Sequence, residues 1–448
     1  MTFLETLLDA ACSNSIRYLS EIHGRSVSPP PGVMERARPL LACLPNSPTD
    51  PLEVVRTLDE LVSPATVANA GGRFFGFVNG GTLPAGLAAS WLVSAWDQNG
   101  ALRVMSPGAA ELEEIALRWT CELLGLPAAT GGGLVTGATM ANFCGLAAAR
   151  HALLARRGWD VESRGLFGAP ELRVVVGEEV HVSVLKALAL IGFGRDRVVP
   201  VPTDDQGRID PASLPPLTED TILCIQAGNV NSGSFDPAGA ICARAREAGA
   251  WVHVDGAFGL WAAASPRYSH LTRGFEQADS WATDAHKWPN AGYDCGIVLV
   301  REPSHLRSAM AASAAYLQSA EAREPSHYTP ELSRRARGVE LWAVLRSLGR
   351  EGMAALVERT CGQARRFAEG LAAAGHSILN EVVVNQVLVS FGETTADVVR
   401  RVQEDGVCWC GGTVWRGRPA MRISVSSWAT TDDDVDRSVD AICRVARA

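Results

Sequence analysis

At 448 residues, 47% apolar and 20% charged, the chain is long enough for a large core and has the composition of a globular enzyme. A net charge of −8 without any basic block argues against a nucleic-acid partner, and no apolar run reaches membrane-spanning length. Eleven cysteines with no CxxC pair give no metal-site spacing, so free thiols in a reducing, cytoplasmic setting are expected.

The opening "MTFLETLLDAACSNSIRYLS" mixes acidic with apolar residues and lacks a basic region ahead of a continuous apolar stretch, so it is read as an amphipathic helix and not a signal peptide. "SVSPPPGV" is a connector. From about residue 130 to 300, short β-branched strands alternate with helices. "LRVVV" precedes a helix through "VSVLKALALIG", followed by "RVVPV". "TILCIQAG" precedes the helix "DPAGAICARAREAG", punctuated by an aspartate and a glycine, and then come "WVHVDGA" and "CGIVLV". This pattern predicts a mostly parallel sheet covered on both faces, with ligands at the carboxyl ends of its strands.

After about residue 335 the pattern changes. A helix from "SRRARGVELWAVLRSLG" breaks at "GREG" and continues to "LAAAG". Strand "VVVNQVLVSFG", helix "TADVVRRVQEDG", a strand pair around "CWCGGTVWRGRPAMRISVS" and a closing helix complete a small α+β domain. The expected division is an N-terminal helical arm (1–65), a large domain (66–315), and a mobile loop with the small domain (316–448).

Three stretches carry chemistry. In "GLVTGATMAN", Gly137, Ala138 and Thr139 join a strand to a helix, with Thr139 as the expected N-cap and the helix start as a phosphate cradle. In "WVHVDGAFG", Asp255 ends an apolar strand, where a carboxylate needs a cationic or hydrogen-bonding partner. In "ATDAHKW", Lys287 is one of only two lysines among 41 basic residues. An arginine stays charged, whereas a buried lysine can lose its proton and act as a nucleophile. The other lysine, Lys186, is expected to hold a structural ion pair. Each stretch also has a purely structural reading, as a tight turn, a loop cap and a surface lysine. Pyridoxal 5′-phosphate joins them, because it needs an amine, an anion under its ring nitrogen, a phosphate cradle and a flat neighbour. A carboxylate about 4 Å from that nitrogen contributes about 4 kcal/mol at an effective dielectric of 20, enough to keep it protonated.

The order of "SPGAAELEEIALRWTCELLGLP", "GLVTGATMAN", "EEVHVSVLKALALIG", "AGNVNSGSFDP", "WVHVDGAFG", "DSWATDAHKW" and "ELSRRARGVELWAVLRSLGREG" resembles the group II pyridoxal-phosphate-dependent amino acid decarboxylases of fold type I. That resemblance implies an aldimine at Lys287, Asp255 beneath the pyridine nitrogen, His181 stacked on the ring and Ala257 near its other face. It gives phosphate contacts to Ala138, Thr139 and His286, with Asp284 or Thr283 joining them. It also implies a homodimer with sites at the interface. Tyr328 is the candidate for returning a proton to Cα, or alternatively an anchor of a surface loop. The chain departs from the family in three places: Ala138 in the phosphate turn, Asn229 where a threonine normally faces the cofactor, and Gly256 before Ala257. Phe77, Trp91 and Trp96 suggest an aromatic or bulky amino acid substrate, or plain core. Arg422 is read first as a structural arginine at the domain interface. Other chemistries on the same scaffold stay open: carbon–carbon lyase or aldolase, decarboxylating aldehyde synthase, aminotransferase, and binding of the cofactor without catalysis.

Overall fold

The computed structural model describes residues 2–312 and 322–447. Seven strands form the large sheet: β1 (Gly131–Val135), β2 (Arg173–Gly177), β3 (Val199–Val201), β4 (Thr221–Gln226), β5 (Trp251–Asp255), β6 (Ser280–Asp284) and β7 (Gly296–Val300). Their order is β1-β7-β6-β5-β4-β2-β3, and only β7 runs against the rest. Every residue of β4, β5, β6 and β7 is buried, as expected for strands covered on both faces. On one face lies the helix Ala138–Arg156, rich in alanine and therefore able to approach the sheet closely. The expected boundary at residue 315 and part of the expected mobile loop lie outside the described residues.

The second sheet is antiparallel, in the order β10-β11-β9-β8, from β8 (Ser377–Ile378), β9 (Gln386–Ser390), β10 (Gly411–Trp415) and β11 (Arg418–Ser424). Arg416 and Gly417 both have positive φ, which turns β10 tightly into β11. The long helix Arg337–Ala373 packs against both parts of the molecule. The break read at "GREG" is at Gly349, where φ is 60°.

Local punctuation departs from expectation twice. The helix Ala138–Arg156 has Gly137 at its N-cap and no side-chain cap, so Thr139 lies inside its first turn. Asp236 does not cap the helix Ala238–Ala248. Its carboxylate instead accepts the N–H groups of Ile209 and Gln226 at 2.7 and 2.6 Å, stitching loop to strand.

Candidate active site

Lys287 follows β6 in a turn fixed from three directions. Asn290 has a φ of 62°, donates its side-chain amide to the carbonyls of Lys287 and Ser426, and accepts the N–H of Trp428 at 2.8 Å. From the third side, a Cβ on Gly80 would fall on the Lys287 carbonyl, so only glycine lets that segment lie there. Lys287 Nζ lies 3.2 Å from Asp284 Oδ2, and the lysine side chain is 18% exposed. The other oxygen, Asp284 Oδ1, is buried without a hydrogen-bond partner.

His286 Nδ1 accepts the N–H of Cys295 at 3.2 Å, which leaves its proton on Nε2, 3.6 Å from Asp284 Oδ2. Burial lowers the pKa of this imidazole, and Asp284 opposes the shift. Its ring stacks on Tyr293 at 4.4 Å, and the Tyr293 hydroxyl donates to Asn79.

Asp255 ends the adjacent strand and is buried. Its Oδ1 accepts the N–H of Ala257 at 3.3 Å, and its Oδ2 accepts from Asn142 Nδ2 at 3.3 Å, with Ser183 Oγ 3.4 Å away. His181 caps the helix Val182–Leu190, with Nδ1 accepting the N–H of Ser183 at 3.2 Å. Among the described residues no hydrogen bond is made by its other nitrogen. Burial lowers the pKa of His181 most, and then the charges of Asp255, Lys287, Arg422 and Asp284 act on it, so these groups surround one space.

The remaining expected residues are distributed as follows. Ala257 accepts the N–H of Asp284 at 2.9 Å and so ties the ends of β5 and β6 together, with the buried Thr283 hydroxyl also directed at its carbonyl. Ala138 and Thr139 open the helix whose first N–H groups have no side-chain cap. Asn229 Oδ1 accepts from the N–H groups of Asn231 and Ser232 at 2.8 and 3.2 Å, and its buried Nδ2 has no partner. A Cβ on Gly256 would fall on Leu260, which accounts for glycine at that position.

Tyr328 packs at the edge of the sheet, its ring 4.6 Å from the Arg323 guanidinium and its carbonyl against Gly133. Among the described residues no hydrogen bond joins its hydroxyl to the Lys287 group. Arg422 donates to the carbonyl of Val230 at 3.3 Å. Trp91 lines an outer groove with Tyr18 and Leu87, and Trp96 is 49% exposed. Lys186 is exposed and, among the described residues, has no carboxylate partner, contrary to the expected ion pair.

Sequence reasoning did not single out Asn142, Ser183 or His253. The available signal was periodicity: His253 stands two residues before Asp255 on the same strand face, and Asn142 lies one helical turn beyond Ala138.

A family model for the pyridoxal-dependent decarboxylase conserved domain matches residues 31–392. The chain is similar to tryptophan decarboxylase 1 of Oryza sativa subsp. japonica, 29% identical over 433 residues, covering 86% of this chain and 83% of that protein. It is similar also to phenylacetaldehyde synthase of a Rosa hybrid cultivar, 30% identical over 368 residues, with 76% and 70% covered. The solved structure of Oryza sativa TDC with PLP and tryptamine shares the fold at a TM-score of 0.90 and 24% identity, with 99% and 97% of the two chains covered. Together with the α/β architecture, the match over most of the chain makes this protein a member of the pyridoxal-dependent decarboxylase family, a fold type I carboxy-lyase that works with pyridoxal phosphate.

Proposed function

We propose that Lys287 is the covalent anchor of pyridoxal phosphate and that the enzyme releases carbon dioxide from an aromatic or similarly bulky L-amino acid. The observation that carries this reading is the amine of Lys287, 3.2 Å from Asp284 beside the buried Asp255, in a chain with one other lysine. The residues fit the cofactor. The buried Asp284 Oδ1, beside the helix start at Gly137, has no hydrogen-bond partner among the described residues, as expected where a polar group is to be received. The uncapped start of the helix at Ala138 and Thr139, with His286 Nε2–H nearby, suits the phosphate. Asp255 suits the ring nitrogen, while His181 and Ala257 suit the two faces of the ring.

Bound there, pyridoxal phosphate supplies an electron sink for a bond broken at Cα. The chain's own groups do the rest. Asp255 would supply negative charge to the ring nitrogen, and His181, kept neutral by burial, would cover a face of the ring without adding a cation. The buried strand ends exclude water, which favours loss of a charged carboxylate as neutral carbon dioxide.

Support for an aromatic substrate comes from the relatives' names and from the segment over Lys287. Phe77 and Val78 have φ values of 55° and 61°, a strained pair that leaves Phe77 60% exposed beside Trp409. A homodimer with sites at the interface is part of the same reading. The helix Phe3–Glu21 buries none of its residues and exposes Phe3, Leu4, Leu8 and Ile16, an apolar face suited to a second copy. Among the described residues no helix is long and apolar enough to cross a membrane. All eleven cysteines are unpaired, in keeping with a cytoplasmic location.

The second reading, a decarboxylating aldehyde synthase, is favoured by Asn229, whose side-chain oxygen serves its own turn in place of the family's threonine. A panel of L-amino acids assayed for carbon dioxide, amine, aldehyde and keto acid separates the two. Amine and carbon dioxide in equal amounts from an aromatic substrate are expected, whereas aldehyde as the main product would select the second reading. The same panel on Tyr328→Phe tests the protonating role read from the resemblance. Lost amine with retained cofactor is expected, and unchanged amine output removes that role.

A further inference from the structure

Beneath Asp255 a row of polar side chains crosses the core. Trp251 is 3% exposed, and Ser280, His253 and Asn142 are fully buried. The Trp251 indole N–H donates to Ser280 Oγ at 2.9 Å, and Ser280 Oγ lies 2.8 Å from His253 Nδ1. His253 Nε2 lies 2.9 Å from Asn142 Oδ1, and Asn142 Nδ2 donates to Asp255 Oδ2 at 3.3 Å. A carboxylate can only accept, so Asn142 turns its amide N–H to Asp255 and its carbonyl to His253, and that carbonyl can only accept a proton from His253 Nε2. Ser280 receives the indole proton and gives its own to His253 Nδ1. With its proton on Nε2, the neutral imidazole offers Nδ1 as the acceptor for the Ser280 hydroxyl, and it holds the Asn142 carbonyl so that the amide N–H faces Asp255. Were the amide reversed, its carbonyl would face the Asp255 carboxylate, acceptor against acceptor; were the imidazole protonated on both nitrogens, the Ser280 hydroxyl would accept twice and its own proton would lose His253 as a partner.

Room for this imidazole is made at some expense of helix stability. A Cβ on Gly145, in the middle of the helix Ala138–Arg156, would stand 2.7 Å from His253 Cε1. A glycine there disfavours the helix by roughly 0.5–1 kcal/mol relative to alanine. Apolar residues could fill the same space at little cost. A branch carries the same order to the ring-stacking position, because Asn142 Nδ2 also donates to Ser183 Oγ at 3.2 Å, and that hydroxyl lies 2.7 Å from His181 Nδ1.

The geometry points to Trp251, Ser280, His253 and Asn142 as a one-way hydrogen-bond chain that orients Asp255 for the cofactor, with His253 as its positioning residue. This rests on reading Asp255 as the partner of the ring nitrogen. Two measurements test it. In apoprotein labelled with 15N-histidine, and assigned by loss of the signal in His253→Gln, His253 is expected as the Nε2–H tautomer. An Nδ1–H tautomer or an imidazolium at neutral pH overturns the chain, whether or not any variant folds. In titrations of apoprotein with pyridoxal phosphate, His253→Leu is expected to weaken binding about 10-fold and to shift the pH midpoint of the visible absorbance band. His253→Gln can accept from Ser280 and donate to Asn142, so it should return binding to within about threefold of the parent. A folded Leu variant with unchanged affinity and band overturns the proposal. Failure of the parent protein itself to bind the cofactor would instead overturn the reading of the site, leaving the tautomer result standing.

Discussion

Burial pushes the His253 imidazole down to about 4. In an unfolded chain it would titrate near 6.5. The native state therefore refuses a proton that the unfolded state accepts, and the contribution to stability is full above about pH 6.5 and lost as pH falls toward 4. The difference amounts to about 3 kcal/mol from this group alone. His181 and His286, also shifted down by burial, act in the same direction. Urea midpoints of the apoprotein measured from pH 7 to pH 4.5 should fall steeply. In His253→Gln the fall should shrink by roughly 2–3 kcal/mol, and an unaltered pH slope would count against a neutral buried imidazole at this position. Among single residues, those with distinctive chemistry were legible in the sequence: the rare lysine, the strand-end aspartate and the helix-start histidine. Asn142, Ser183 and His253 were not, because ordinary polar residues acquire meaning only when a strand and a helix 27 and 111 positions away in the chain meet theirs, as those of Ser280 and Asn142 do at His253.

Two backbones touch where β7 passes the start of the helix Ala138–Arg156. A Cβ on Gly296 would fall on the Gly137 backbone, so the strand must carry glycine at that point for the helix start to sit above Asp284 and His286. Gly296→Ala should separate the two elements, destabilise the fold by about 1–3 kcal/mol and weaken pyridoxal phosphate binding at least as much as it lowers the melting temperature would suggest. Calorimetry with a cofactor titration checks this, and normal affinity in a destabilised variant would show that the helix start is not a phosphate cradle. The strands and helices of the large sheet were readable from periodicity and punctuation. The caps were less so: Asp236 looks like a helix cap in the sequence, yet its carboxylate serves the N–H groups of a strand and a loop. The same tertiary preference removes Thr139 from its expected N-cap, since a side chain bound to the cap would occupy the N–H groups the site leaves open.

For the molecule as a whole, the unburied helix Phe3–Glu21 is the part least explained by a single chain. Its capping box of Thr2 and Glu5 makes it a well-formed helix, while its apolar residues face outward. A chain lacking residues 1–21 should sediment as a monomer and lose most activity. The intact protein should sediment as a dimer, and a fully active monomer would end the interface reading. The arm was legible as an amphipathic helix, but the sequence could not say which surface it covers. The alternation of strands and helices predicted the parallel sheet, whereas of the residues read as pocket walls Trp91 lies in an outer groove beside this arm and Trp96 is exposed.

The turn that carries Lys287 is held by groups drawn from the whole length of the polypeptide. Trp428 reaches Asn290 across 138 positions and the Thr82 carbonyl across 346, with Gly80 closing the remaining side. Contacts so distant in sequence are made late, after shorter loops have closed. A nascent chain that has emerged only as far as β9 already contains the lysine, both aspartates and both imidazoles, yet it lacks the ledge that aims the amine. Competence for chemistry is thus withheld until the segment carrying Trp428 has been made.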